Sequence, residues 1–112
     1  MEASKDVEEV IIVLITTGSE AEATTIGRAV VQKGLAACAN ILPLKKSIFQ
    51  WEGKIAEEQE FLMILKSRAV LFDELSMVVK QLHSYQVPEI IAIPIGSVSI
   101  PYLNWVRECT RK

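Results

Sequence analysis

The 112-residue sequence predicts an α+β fold: a four-stranded antiparallel sheet in βαββαβ order, with two helices on one face, a long β-hairpin and a short C-terminal helix. Three observations lead there. Short apolar runs at 10–15, 61–65 and 90–93 read as strands. Two segments between them, opening near Ser19 and Ser67, repeat apolar residues at helical spacing. The resulting order, with a hairpin between the two strand–helix units, is the split βαβ arrangement that puts both helices on one side of the sheet.

Residues 9–16 form a continuous apolar run ending in Thr16-Thr17-Gly18, as expected of a strand buried on both faces. Ser19 opens the first helix. Glu22 three residues on completes a capping-box pattern, Glu20 adds negative charge to the first turn, and Ala23, Ile26 and Val30 share a stripe. Gly34 supplies the left-handed stop. Composition favours strand over 35–50, interrupted at Pro43, which cannot donate to a ladder and calls for a bulge or kink. Trp51-Glu52-Gly53-Lys54 reads as a tight turn, and 55–66 returns as a strand, polar first and then apolar. Ser67 is the expected N-cap of the second helix, in which Leu71, Leu75, Val78 and Leu82 recur at helical spacing as far as His83. Residues 89–95 form the fourth strand. Ser99-Ile100-Pro101 opens the terminal helix carrying Tyr102, Trp105 and Val106.

The whole of 1–112 is one domain by size, with residues 1–8 expected to be flexible. Half the residues are hydrophobic and 23% are charged, enough apolar surface for a core and too much for a disordered chain. The net charge of −2 and the absence of basic clusters larger than a pair such as Lys45-Lys46 argue against a nucleic-acid partner. The longest apolar run falls far short of the ~20 residues that cross a bilayer, and the acidic first nine residues lack the charge of a signal peptide. No membrane partner and a cytoplasmic location are expected. Cys38 and Cys109 have no CxxC spacing and read as small buried hydrophobes.

An antiparallel sheet with helices on one face shows water its other face only if the strands alternate, and the runs 10–15, 61–65 and 90–93 do not. An apolar sheet face left open marks an interface. The hairpin points the same way. Residues 37–51 in extended form reach roughly 50 Å at ~3.3 Å per residue, beyond a compact domain with a radius of gyration of ~13 Å. Its tip overhangs, and Trp51 there reads as a docking anchor.

No catalytic constellation emerges. The sequence has one histidine, no nucleophile elbow and no Gly-rich phosphate loop. His83, at the end of a helix, is either a dipole partner or a copper or zinc ligand that needs help from symmetry mates, Cys38 or a carboxylate. Glu57, Glu58 and Glu60 read as solvated strand residues or as a cation-attracting surface. Gly96-Ser97-Val98-Ser99 is either an anion site at a helix start or ordinary capping by Ser99.

Five segments together carry a resemblance: 33–40 (KGLAACAN), 51–54 (WEGK), 63–66 (MILK), 83–90 (HSYQVPEI) and 102–105 (YLNW). In these blocks, and in their order over about residues 10–107, the chain resembles the CutA divalent-cation-tolerance proteins. The resemblance implies a ferredoxin-like subunit in a homotrimer, akin to the PII signalling proteins, with divalent metal ions as partners and no enzymatic activity. It places Asn40, Trp51, Lys66, Tyr85 and Glu89 around an inter-subunit cleft. The copper ligands of some relatives, a first-strand cysteine and two adjacent histidines, fall here on Ile15, Leu82 and His83. Only His83 is retained, so no cofactor is required and a weakly bound Cu2+ or another divalent cation is expected. A PII-like module binding a small anionic metabolite, with Lys66 as charge partner, is the rival reading.

Overall fold

A computed structural model describes residues 9–111; the expectation for residues 1–8 lies outside them. The elements follow one another as β1 (Val10–Thr17), α1 (Glu20–Gln32), β2 (Cys38–Pro43), β3 (Ser47–Trp51), β4 (Lys54–Glu58), β5 (Phe61–Arg68), a 3-10 turn (Ala69–Leu71), α2 (Phe72–Leu82), β6 (Ile90–Pro94) and α3 (Ile100–Cys109). Four strands form an antiparallel sheet in the order β2-β5-β1-β6, and β3 with β4 forms a separate two-stranded sheet. This is the expected ferredoxin-like arrangement, with the hairpin set apart from it.

Alternation along the strands sorts the side chains between two faces. Val13, Ile15, Met63 and Leu65 meet Ala23, Ile26 and Val30 of α1 and Leu75 and Val79 of α2 in one buried core. Deleting a side chain as large as Met63 from such a site costs ~2–5 kcal/mol. On the opposite face Ile12, Leu14, Leu62 and Ile64 remain half-buried, and Ile91 and Ile93 are 49% and 46% exposed. Helix α3 covers only one end of that face. Its buried Leu103 and Val106 lie on that side, where Arg107 pairs with Glu9 at 2.7 Å and Arg68 Nε donates to Thr110 Oγ1 at 2.9 Å.

Local chemistry explains the boundaries. Ser19 Oγ accepts from the Glu22 backbone N–H at 3.1 Å, the first half of the expected capping box. The reciprocal half is missing, because the Glu22 carboxylate reaches Ser84 N–H instead. At the other end Gly34 (φ 70°) donates to Val31 O while Leu35 donates to Val30 O, a Schellman stop that buries Leu35. Ser99 caps α3 as expected, through Tyr102 N–H.

Ser67 does not cap α2. It is the seventh residue of β5, fully buried, and its hydroxyl donates to Leu35 O at 2.6 Å, tying the loop after α1 to the sheet. The chain turns instead through the 3-10 segment, and neither Arg68 nor Leu71 lends a side-chain cap. A serine before an apolar helical pattern looks alike in both roles, and only burial separates them. The interruption at Pro43 is real: β2 ends there, and β3 begins after three intervening residues. The expected single return strand also breaks, at Gln59-Glu60, into β4 and β5. Gly53 takes a positive φ of 77° at the hairpin turn.

Candidate functional site

Two polar clusters stand out against this frame, one at each end of the sheet. The first lies on the open face. Register places Cys38 opposite Lys66 and Lys66 opposite Ile12, with Asn40 on the same side of β2 one step along. The Lys66 ammonium donates to Asn40 Oδ1, and Cys38 Sγ approaches the same oxygen at 3.6 Å. Nearby Tyr102 has its pKa raised, first by burial and then by the neighbouring Cys38 sulfur, so its phenol stays neutral. A groove beside this cluster runs between α1 and the free edge of β2 and is closed at one side by Trp105, which stacks on Tyr102 at 5.4 Å.

The second cluster joins the end of β1, the start of β5 and the loop after α2. His83 has its side chain completely buried. Its Nδ1 accepts from the Tyr85 backbone N–H at 3.0 Å, and since that N–H is a donor only, the network assigns the ring hydrogen to Nε2. Nε2–H then donates to Thr16 O at 2.7 Å. Both ring nitrogens are thus engaged. Tyr85 stacks on the imidazole at 4.7 Å and donates its hydroxyl to Glu60 Oε2 at 2.7 Å. A Cβ at Gly18 would lie 3.3 Å from that hydroxyl, so the glycine makes room for the phenol. Burial pushes the Tyr85 pKa well up, and the Glu60 carboxylate, with its hydrogen bond and its charge, pushes it further. The phenol is a fixed neutral donor. Burial works against the Glu22 carboxylate, yet its hydrogen bonds with Ser84, including the backbone N–H at 2.6 Å, outweigh it and hold its pKa below the usual range.

The residues singled out on the sequence divide between these clusters. Asn40 and Lys66 belong to the first, His83 and Tyr85 to the second. Glu60, just ahead of β5, and Lys66 within it are six residues apart, about 20 Å of extended chain. Trp51 stands at the hairpin tip, 50% exposed, and Glu89 is exposed just before β6. One protomer does not bring all five cleft residues together. Glu57 and Glu58 are solvated as expected, but Glu60 is not: it is 6% exposed beneath Tyr85. Its spacing from two solvated neighbours concealed this, because the strand break at Gln59-Glu60 turns the side chain inward. Gly18, Thr16 and Glu22 carry parts of the second cluster that sequence reasoning assigned only to strand end and helix cap. Among the described residues, no group of three or more His, Cys, Asp and Glu side chains stands close enough to hold a metal ion. A metal at His83 would have to displace Thr16 O or the Tyr85 N–H.

Fold and site define a ferredoxin-like α+β chain with an open apolar sheet face and a buried Tyr–Glu–His network at the sheet end. A family model described as CutA1 divalent ion tolerance protein matches residues 11–109. The divalent-cation tolerance protein CutA of Thermus thermophilus is 48% identical over 99 residues, 88% of this chain and 96% of that one. Human protein CutA is 45% identical over 96 residues, 86% of this chain but 54% of the human protein, so this chain spans about half the human relative's length. Among solved structures, one described as the periplasmic divalent cation tolerance protein CutA of Archaeoglobus fulgidus superposes with a TM-score of 0.89 at 43% identity, covering 91% of this chain and 99% of that one. The chain belongs to the CutA1 divalent ion tolerance family.

Proposed function

We propose that this chain works as a homotrimer in the tolerance of divalent metal ions, copper among them, and acts by binding rather than by catalysis. The observation that carries the assembly is the open sheet face. Ile91 and Ile93 expose nearly half their surface beside half-buried Ile12, Leu14, Leu62 and Ile64, and burying apolar area of this kind contributes about 25 cal/mol per Å2. Copies of the chain packed on that face also receive the overhanging hairpin. Asn40, Trp51, Lys66, Tyr85 and Glu89 then line clefts between subunits, which gives one reason for their separation within a protomer. The metal role is supported by the names that the relatives carry. Two free cysteines suit a reducing, cytoplasmic setting.

Copper binding at His83 is weak in this reading, because the metal must break one of the two hydrogen bonds that hold the imidazole and finds no neighbouring cysteine or second histidine. A PII-like module that takes a small anion is the second reading, favoured by a Lys66 that has no carboxylate partner among the described residues. Isothermal titration of wild type and His83→Ala with Cu2+, Zn2+ and a panel of nucleotides separates them. Weak Cu2+ binding that His83→Ala abolishes is expected. Submicromolar Cu2+ affinity surviving the substitution would overturn the assignment to His83, and nucleotide binding without metal binding would favour the second reading.

A further inference from the structure

Lys66 stands on the open sheet face, toward the end where β2 begins, in surroundings that do not suit a lone charge. Its register partners are Cys38 on one side and Ile12 on the other; Ile12 is paired in turn with Ile93, and Ile64 lies one step along the same face. The side chain is half-buried already. Among the described residues no carboxylate pairs with it, and its one partner is the neutral Asn40 Oδ1. With that oxygen turned to the ammonium, Asn40 keeps its amide NH2 as a second donor, and Lys66 keeps its remaining N–H groups. The acids of the second cluster, Glu22 and Glu60, lie at the far end of the sheet, about 20 Å along β5, out of reach within one protomer.

Covering the apolar side chains around Lys66 strips its ammonium of water, and a desolvated cation is heavily penalised unless an anion meets it. A donor pair of ammonium and amide, flanked in register by Cys38, Ile12 and Ile64, matches the oxygens of a carboxylate or phosphate. We propose that Lys66 and Asn40 form an oxyanion-binding site enclosed between copies of this chain. This rests on the assembly proposed above and names the ligand class of its cleft. The oxygens come either from an acidic side chain of the neighbouring copy or from a small free anion.

The test is thermal unfolding of wild type, Lys66→Met and Lys66→Arg in rising inorganic phosphate, with ionic strength matched by chloride. If the anion is free, the wild-type midpoint rises by roughly 5 °C at saturating phosphate, Lys66→Arg keeps the rise and Lys66→Met loses it. If a neighbouring acid supplies the oxygens, phosphate does nothing, and Lys66→Met melts several degrees below wild type because it leaves that acid unpaired. The proposal is overturned if Lys66→Met melts at or above wild type with no phosphate response in either, or if a phosphate response persists in Lys66→Met. Sedimentation of the same samples keeps the two readings apart. A folded monomer contradicts the assembly, whereas the phosphate shift and its loss in Lys66→Met speak to the oxyanion site alone.

Discussion

At the scale of single residues, Tyr85 does the work of three. Its backbone N–H sets the His83 tautomer, its ring covers the imidazole, and its hydroxyl is the hydrogen-bond donor to a Glu60 carboxylate that is 6% exposed. Removing the hydroxyl leaves a buried acceptor without its donor. Tyr85→Phe is therefore expected to cost ~1–3 kcal/mol, read as a lowered urea midpoint with an unchanged slope. In Glu60→Gln the same tyrosine change should cost less, since the buried group is then uncharged; an equal cost in both backgrounds would show that the pair is uncoupled. The acid limb of stability follows from two other carboxylates. The Arg107 hydrogen bond, working against some burial, holds the Glu9 pKa below its ordinary value, and the Ser84 N–H helps to do the same for Glu22. Lowered folded-state values mean that this stabilisation is present above the unfolded carboxylate pKa, ~4.3, and is lost as pH falls through the depressed folded values. Denaturation measured from pH 6 to pH 2 should thus show stability falling below about pH 4, with a shallower fall in Glu22→Gln.

At the scale of elements, the hairpin is the piece that a single protomer leaves unfinished. β3 and β4 pair only with each other in their own sheet, with Ile48 and Ile55 each 65% exposed and Trp51 50% exposed. Trp105, 40% exposed, differs in having a partner within its own chain: it packs on Tyr102 and closes the groove against α1. Trp51→Ala is expected to lower the dissociation temperature of the assembly more than Trp105→Ala does, as loss of an interface anchor worth upwards of ~2 kcal/mol. Equal or reversed effects would move the hairpin tip out of the interface. The elements themselves were legible because each had a local cause: the Ser19 cap, the Gly34 stop, the break at Pro43 and the Gly53 turn all act within a few residues. Ser67 was misread because its partner, Leu35 O, is distant in sequence. Asn40 and Lys66 were singled out by resemblance, but their mutual contact depends on β2–β5 register. Glu60 was misread as solvated, and Gly18 was read only as a strand end, because their roles exist only once the loop after α2 folds back on the sheet.

At the scale of the whole molecule, the described residues form an elongated body of 46 × 25 × 21 Å, helices on one side and apolar strands on the other. No helix among them is long and apolar enough to cross a membrane, so lipid-spanning helices do not account for the open face. Its edges, β2 and β6, keep unpaired backbone groups beside apolar side chains, a combination that proteins cover rather than leave in water. Three copies covering one another's sheet faces and hairpins, as proposed above, would satisfy the face, the edges and Trp51 together. Sedimentation equilibrium at micromolar concentration measures this directly. The expected mass is three times that of the 12.5 kDa subunit; a folded species that sediments at the subunit mass would contradict the assembly and the clefts that depend on it.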